Sequence, residues 1–496
     1  MNTRISSKTS KAVFLILLGL VFFFHFPFLE ADPDRNMSVG RGPFTDEGLN
    51  TIQVRNWINQ GELNLTECDN LLKTPLLGFP LAATYKIFGT TLVVSRLHVL
   101  MLVLITILII GLEARNRPVM TIFILITLMQ YQVFQSSHFS MAEMLSVAAV
   151  LLSIDFLARS FSPDNTRKAR FRQAVLSGIT LSLAYMIKIQ FIYLIPLLPL
   201  TLLILVFSHD SQSRMTVVRQ GFTITAVLLL CLLLYFFAWY LPNKKAYDFM
   251  MAHQSGEISL SGKTWEYIRF NLSYHFLKGW VQWFIYFFIT LIIIGFIMLR
   301  HKVTRQYPVQ FFSSLVWVLL ELHKLTMVYL PTRYQVSLFA SIGLLMSVVL
   351  REIMLWQAPG INKILKVLAI TILISMTAIN GYQYVDTVRH RTYVIRDTNE
   401  YMAGILKQDD LVLGAWAPSL TWGSKSRAIP VWNHFLNYQD PVNTFLPRAI
   451  IAETDEQDSE QAFSSQGINL QEFSDSTKTV RIGQWKMVIY WMKPKF

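Results

Sequence analysis

Ala12-Val13-Phe14-Leu15-Ile16-Leu17-Leu18-Gly19-Leu20-Val21-Phe22-Phe23-Phe24-His25-Phe26-Pro27-Phe28 is the stretch that decides the fold. It holds no Asp, Glu, Lys or Arg, and with its flanks it approaches the roughly 20 residues that cross a bilayer core as a helix. Arg4, Lys8 and Lys11 precede it. A basic stretch before an apolar block is also how a secretory signal begins. Here Phe28, Leu29 and Glu30 stand where small residues would be needed for cleavage. The block therefore reads as an uncleaved first span, with its basic side in the cytoplasm.

Similar blocks recur along the 496 residues, of which 53% are hydrophobic and 15% charged. Soluble domains carry about 25% charged residues, so a polytopic α-helical membrane protein is expected. Eleven candidate spans lie at 12–29, 91–112, 118–135, 139–158, 172–188, 190–207, 219–241, 278–299, 309–325, 332–350 and 362–379. Lys188 and Gln190 interrupt the apolar run of 172–207, which favours two spans over one long helix.

The net charge of +13 could suggest nucleic acid, but the placement of the charges argues otherwise. Arg115 and Arg117, then Arg159, Arg167, Lys168, Arg170 and Arg172, then Arg214 and Arg219 fall in alternate connections. Arg300, Lys302 and Arg305, and finally Arg351, Lys363 and Lys366, continue the series. Such alternation marks those connections as cytoplasmic. The opposite connections include two long ones, 30–90 and 242–277, and an odd span count places the tail outside. Cys68 lies in a loop and Cys231 in a span, so no disulfide framework is implied.

From Gly381 the chain changes character and reads as a small soluble α/β domain, 381–496, following a transmembrane domain, 1–380. Arg396 to Gln408 suggests a helix with Ile405 and Leu406 on its apolar face. Leu411 to Trp416 and Ala449 to Ala452 suggest buried strands. Thr479 to Ile482 and Trp485 to Trp491 alternate around Gly483-Gln484, a two-residue hairpin signal. The acidic stretch Glu453 to Glu460 reads as a solvated loop.

Chemistry could live at the external face. The first long loop holds Asp46-Glu47-Gly48 ahead of a helical stretch, Asn50 to Gln60. Acids near a helix start are favourable by about 0.3–1 kcal/mol, so capping competes with catalysis as their role. Glu143 opens an external span end with no basic residue nearby in sequence. Acids there tend to face a bundle interior or a watery cavity. Lys188 and Arg333 lie at external span ends, where snorkelling to the interface is the plain alternative. The Arg333 guanidinium offers a forked donor set matched to phosphate. Carboxylates that move protons beside cations that hold phosphate would suit transfer of a group carried on a lipid phosphate.

These residues stand in an ordered series. Asp46-Glu47-Gly48 is followed by Ile52-Gln53-Val54-Arg55-Asn56-Trp57 and Thr74-Pro75-Leu76-Leu77-Gly78-Phe79-Pro80-Leu81. Then come Phe88-Gly89, Ser95-Arg96-Leu97, Ala142-Glu143-Met144, Gly178 through Met186-Ile187-Lys188, and Arg333-Tyr334. Over about 12–350 the chain resembles the GT-C type lipid-linked-sugar glycosyltransferases. It looks most like glycosyltransferase family 39, the protein mannosyltransferase and aminoarabinose transferase group. The resemblance implies a polyprenyl-phosphate sugar donor and an inverting displacement by an acceptor hydroxyl. It implies Asp46 as general base, Glu47 as a residue that orients it or binds acceptor, and Glu143 in a supporting role. Lys188 and Arg333 would bind the donor phosphate, with Tyr334 packed beside them. Glu143 stands where some relatives have Asp. The acceptor, a glycolipid, glycan or protein, stays open.

Members differ in metal dependence. A divalent metal stays possible, with His138 and Glu143, or His323, as contributors. The short N-terminus and compact loops suit a bacterial inner membrane, the tail being periplasmic. A transporter or flippase would share the helices, and would show an inverted repeat and broken helices at the midplane. A surface polysaccharide polymerase or ligase would place its site in a late loop such as 242–277, with His253, Glu257, Arg269 and His275. A scaffold that presents the tail is the third alternative.

Overall fold

The apolar blocks fold as helices. The computed structural model describes residues 7–38, 40–208, 211–254, 263–300, 307–328, 330–356, 361–434, 436–454 and 457–493. Arg4, Glu257, Lys302, Arg305, Asp455 and Glu456 lie outside the described residues. Among those described, seven helices are long and apolar enough to cross a membrane. They are Lys8–Phe28, Leu92–Leu112, Ile189–Phe207, Arg214–Tyr240, Val281–Met298, Thr332–Leu355 and Lys363–Ala403.

By length and composition alone, seven of the eleven expected spans qualify, or eight if the bent pair described below is one span. Three of the others are helical, at Ala142–Ser160, Arg167–Ile187 and Pro308–Glu321. The first holds Glu143, Asp155 and Arg159, the second opens on four basic residues in six, and the third has only 14 residues. The expected span 118–135 is bent. Arg117–Leu128 and Tyr131–His138 meet at 93°. A π-turn, Ile124–Leu128, ends the first piece. The Gln130 side chain caps the second by accepting from Val133 N at 3.0 Å. A π-turn and a fresh cap are among the devices that break a helix without orphaning its amides.

The Val336–Leu355 helix is buried nearly all round. Ser337, Ser341, Gly343 and Ser347 keep it slim, and a Cβ at Gly343 would collide with Thr127 on the bent element. A Cβ at Gly111 would likewise strike the Phe14 ring of the first span. Small residues that let helix backbones approach are the usual route to tight packing where lipid surrounds a bundle.

The boundary placed at 380/381 falls inside the Ile361–His390 helix, so the soluble fold begins after His390. Asp32, from the end of the first span, starts it. Its carboxylate accepts from Val394 N and Ile395 N, both at 2.8 Å, and so satisfies two of the orphan amides of the Val394–Ala403 helix. Five strands follow: β1 (Leu411–Leu413), β2 (Arg427–Ile429), β3 (Ala449–Glu453), β4 (Ser474–Ile482) and β5 (Trp485–Met492). Their order is β2-β1-β3-β5-β4, with β1 parallel to β2 and β3, and β5 antiparallel to β3 and β4.

The β4–β5 hairpin turns at Gly483-Gln484 as expected, with Gly483 at φ +57°. Three details differ from the sequence expectations. Strand β2 was not anticipated. The helix ends at Ala403, so Ile405 is exposed while Leu406 is buried. Glu453 is fully buried at the end of β3 and is no part of a solvated loop.

Both long connections contain helices among their described residues. Segment 242–277 contains the Lys244–Gln254 and Thr264–Phe276 helices. In 30–90, the Gly42–Gln60 helix joins the core of the tail. Phe44, Leu49 and Ile52 pack with Trp416, Leu420, Ile451 and Met487. Asn56 brackets Ala428 of β2, donating to its O at 2.9 Å and accepting from its N at 3.3 Å. Arg55 donates to Pro418 O and lies 3.9 Å over the Trp422 ring. A Cβ at Gly48 would fall 2.6 Å from the Pro418 carbonyl carbon, and backbone cannot give way there. Gly48→Val should therefore cost at least about 2 kcal/mol, in the range of overpacked cores. Thermal unfolding of the purified protein should show a lowered midpoint.

Candidate active site

Asp46 is not a cap. The Gly42–Gln60 helix starts earlier than its sequence suggested, its N-cap is Arg41, and no side chain caps it. Asp46 sits in the second turn, and the three residues of the Asp46-Glu47-Gly48 motif fan out around the helix at about 100° per step. Each meets a different part of the molecule. Gly48 meets the tail domain, as described above.

Glu47 turns to the first span and the bend. Arg96 Nη2 lies 2.5 Å from its Oε2, and Arg96 Nε donates at 3.0 Å to Oε1. Ser140 N donates to Oε1 at 2.8 Å. Arg96 Nη1 donates to Phe28 O at 2.6 Å and to Ala31 O at 2.7 Å. Glu47 is thus taken up by a buried ion pair and is not brought into contact with the other acids.

Asp46 faces the cations. Its carboxylate pairs with Arg333 Nη1. Arg333 Nε lies 3.5 Å from Glu143 Oε1, and Lys188 Nζ lies 2.5 Å from the same oxygen. The four side chains come from four separate stretches. Lys188 occupies the break after the Arg167–Ile187 helix, in an extended conformation with φ −145° and ψ 110°. That break is where Lys188 and Gln190 interrupted the apolar run. Lys188 is 9% exposed, which argues against snorkelling to a water interface. Arg333 lies in a 3-10 turn, Thr332–Gln335, that leads into the central helix. Glu143 is in the first turn of Ala142–Ser160 and 3% exposed. Its Oε2 is buried with no hydrogen-bond partner among the described residues.

Tyr334 packs against both cations, with Lys188 Nζ 4.8 Å and Arg333 Cζ 5.1 Å from its ring centroid. Behind it, Lys324 donates to Tyr334 O at 2.8 Å and pairs with Glu321 at 2.6 Å. Glu321 also accepts from Trp317 Nε1 at 3.1 Å and Ser337 Oγ at 2.5 Å. This rear network fixes the turn that carries Arg333.

Two carboxylates and two cations leave the cluster without net formal charge. Burial pushes the Asp46 carboxyl up to about 6, against the pull of Arg333, with Glu143 adding to the rise. A carboxyl tuned toward neutrality can exchange a proton near physiological pH. Among the described residues no group of three or more His, Cys, Asp or Glu side chains is placed to hold a metal. His138 Nδ1 faces His25 Nδ1 at 3.0 Å, and His323 Nδ1 lies 2.6 Å from Leu320 O.

Sequence reasoning gave no role to Gly42. A Cβ there would lie 2.7 Å from Arg333 Nη1 and 2.9 Å from Asp46 Oδ2, so the absence of a side chain makes room for that pair. Only its place before Pro43, at a helix start, hinted at it. Arg41 was also missed. It pairs with the buried Glu453 at 2.9 Å, and Trp416 Nε1 donates to the same Glu453 oxygen at 2.8 Å. Nothing in the local sequence linked positions so far apart. Of the late-loop residues, Arg269 and His275 do not enter the site's ion pairs, while Glu257 and the His253 side chain lie outside what the structure describes.

No protein-family model matches the sequence, and no curated relative does. Solved structures do match. Apo ArnT from Cupriavidus metallidurans is similar with a TM-score of 0.62 at 14% identity, over 98% of this chain and 98% of that one. The same protein bound to undecaprenyl phosphate gives 0.59 at 13%, over 96% and 97%. The archaeal oligosaccharyltransferase AglB from Archaeoglobus fulgidus, in complex with an inhibitory peptide and a dolichol-phosphate, gives 0.52 at 9%, over 89% and 69%. At such low identity the likeness is one of fold, and the fold of this chain is GT-C-like.

Proposed function

We propose that the chain is a membrane glycosyltransferase that moves a sugar from a polyprenyl-phosphate carrier to an acceptor hydroxyl. One observation carries this: Asp46, Glu143, Lys188 and Arg333, from four separate stretches, meet in one ion-paired cluster. The neighbours add support, since one of them holds undecaprenyl phosphate and another a dolichol-phosphate. Coverage of nearly the whole of both chains in the comparison with ArnT supports a GT-C-like fold as the setting for this chemistry. A bacterial inner membrane, with the cluster and the tail on the periplasmic side, fits the alternation of basic connections.

In the resting cluster the carboxylates occupy the cations. An arriving phosphate takes the place of Asp46 on Arg333 and shares Lys188 with Glu143, and Asp46 is released. Asp46 then removes the proton from the acceptor hydroxyl, whose oxygen attacks the anomeric carbon. The bond from that carbon to the phosphate oxygen breaks, and the lipid phosphate leaves with the electron pair. Arg333 and Lys188 hold the charge that builds on it. A single displacement inverts the centre, with no covalent enzyme intermediate. Glu143 keeps Lys188 in place, and Glu47 positions the helix that bears Asp46.

Asp46→Asn keeps the shape and removes the basic oxygen. Transfer should fall by about 10²–10⁴-fold while the unfolding midpoint barely moves. Near-normal transfer would remove Asp46 from the chemistry. The base must be ionised, so turnover in the unaltered enzyme should fall as pH drops through about 6, the value to which burial raises Asp46. A rate that is flat from neutral pH to well below that value would contradict the assignment. Gly42→Ala should raise the KM for donor, because the added methyl displaces the Arg333 terminus, and should leave the unfolding midpoint near that of the parent.

A further inference from the structure

A cleft of about 700 Å³ lies in the tail domain, away from the ion-paired cluster. Gln60, Leu411, Arg427 and Arg448 mark its place. Arg427 begins β2, Leu411 begins β1, and Arg448 immediately precedes β3, so the cleft sits under the N-terminal ends of the parallel strands. The Arg41–Glu453 pair is at the other end of β3. Along the Gly42–Gln60 helix, the 14 steps from Asp46 to Gln60 span about 21 Å at 1.5 Å each. A group bound in the cleft is too far away to be the reacting sugar or the donor phosphate.

The lining combines apolar faces with balanced polar groups. Phe445 and Phe473 line it, and Phe473 is 43% exposed. Leu446 also lines it, 62% exposed and held at φ +48°. A branched residue in the left-handed region costs on the order of 1–3 kcal/mol and persists where surroundings hold it. Here the strain presents an apolar side chain to solvent at the cleft. Arg427, Arg448 and Lys493 are matched by Asp409, Asp410 and Glu472, so no net charge selects a phosphate or another anion. Arg427 is held in place through its Nη2, which pairs with Glu67 Oε1 outside the lining. The two edge strands are β2 and β4, and the cleft lies at strand ends. It offers no open ladder along which an extended peptide could pair.

We propose that this cleft binds an uncharged oligosaccharide, stacking sugar faces on Phe445, Leu446 and Phe473 and pairing hydroxyls with Arg427, Arg448 and Asp410. Hydroxyls both donate and accept, which suits a lining of matched acids and bases. That the oligosaccharide is the outer part of the acceptor rests on the transferase proposal above, whereas the binding itself does not.

The test uses the full-length protein in lipid nanodiscs and saturation-transfer NMR. The probes are uncharged hexose and N-acetylhexosamine tetra- to octasaccharides, with a random hexapeptide pool and inorganic phosphate as comparison arms. Asp46→Asn protein should bind an oligosaccharide as the parent does. Phe473→Ala combined with Leu446→Gly should weaken that binding about tenfold, the loss of two stacking contacts. Both positions are exposed, and glycine accepts the left-handed backbone, so the double variant should fold. A signal from peptides or phosphate alone, no oligosaccharide signal at millimolar concentration, or binding undiminished in the folded double variant would each overturn the proposal. Absence of transfer by the parent protein, with oligosaccharide binding retained, would count against the transferase proposal and leave this site standing.

Discussion

The buried pair Glu47–Arg96 is the constraint on which the rest of the structure depends. Its side chains are 5% and 1% exposed. Taking two charges out of water is costly, and the attraction repays it only when the remaining polar atoms are satisfied. Here the guanidinium also holds Phe28 O and Ala31 O, and the carboxylate also holds Ser140 N. One ion pair therefore ties together the end of the first span, the Gly42–Gln60 helix, the Leu92–Leu112 helix and the chain beyond the bend. Removing one partner of such a pair typically costs about 3–5 kcal/mol. Because Glu47 is fixed, the helix cannot rotate. Asp46 is held toward the cations on one side of it and Gly48 toward the tail on another.

The bend between Arg117–Leu128 and Tyr131–His138 takes its meaning from this pair. A broken span is a feature that a transporter would share. In this chain the second piece ends at His138, two residues before the amide that Glu47 holds. Ala142–Ser160 then begins and brings Glu143 to Lys188. The break thus serves to deliver a backbone amide and a carboxylate to one face. The tail domain is fastened to the same helix by Gly48, Arg55 and Asn56, and to the first span by Asp32.

Much of this was legible in the sequence. Apolar block length gave the membrane fold, and Gly483-Gln484 gave the hairpin. Lys188 marked a break because a charge does not sit inside an apolar run without reason. The parts that were not legible depend on tertiary contact. The bend at Met129-Gln130 was hidden because hydropathy stays high across a π-turn. Strand β2, three residues long, was too short to show a periodicity of its own. Glu453 read as one of a run of exposed acids because its partners, Arg41 and Trp416, are distant in the chain. Asp46 and Glu47, adjacent acids, looked equivalent, and the helix separates them by the angle that one residue turns.

The central claim is that phosphate and carboxylate compete for Arg333. The most direct measurement is the affinity of the purified protein for a sugar-free polyprenyl phosphate, compared with that of Asp46→Asn and Arg333→Gln. Competition predicts tighter binding in Asp46→Asn, where the resident carboxylate charge is gone, and weaker binding in Arg333→Gln. Equal affinity in all three proteins would contradict the account, because Arg333 would then hold Asp46 for structure alone.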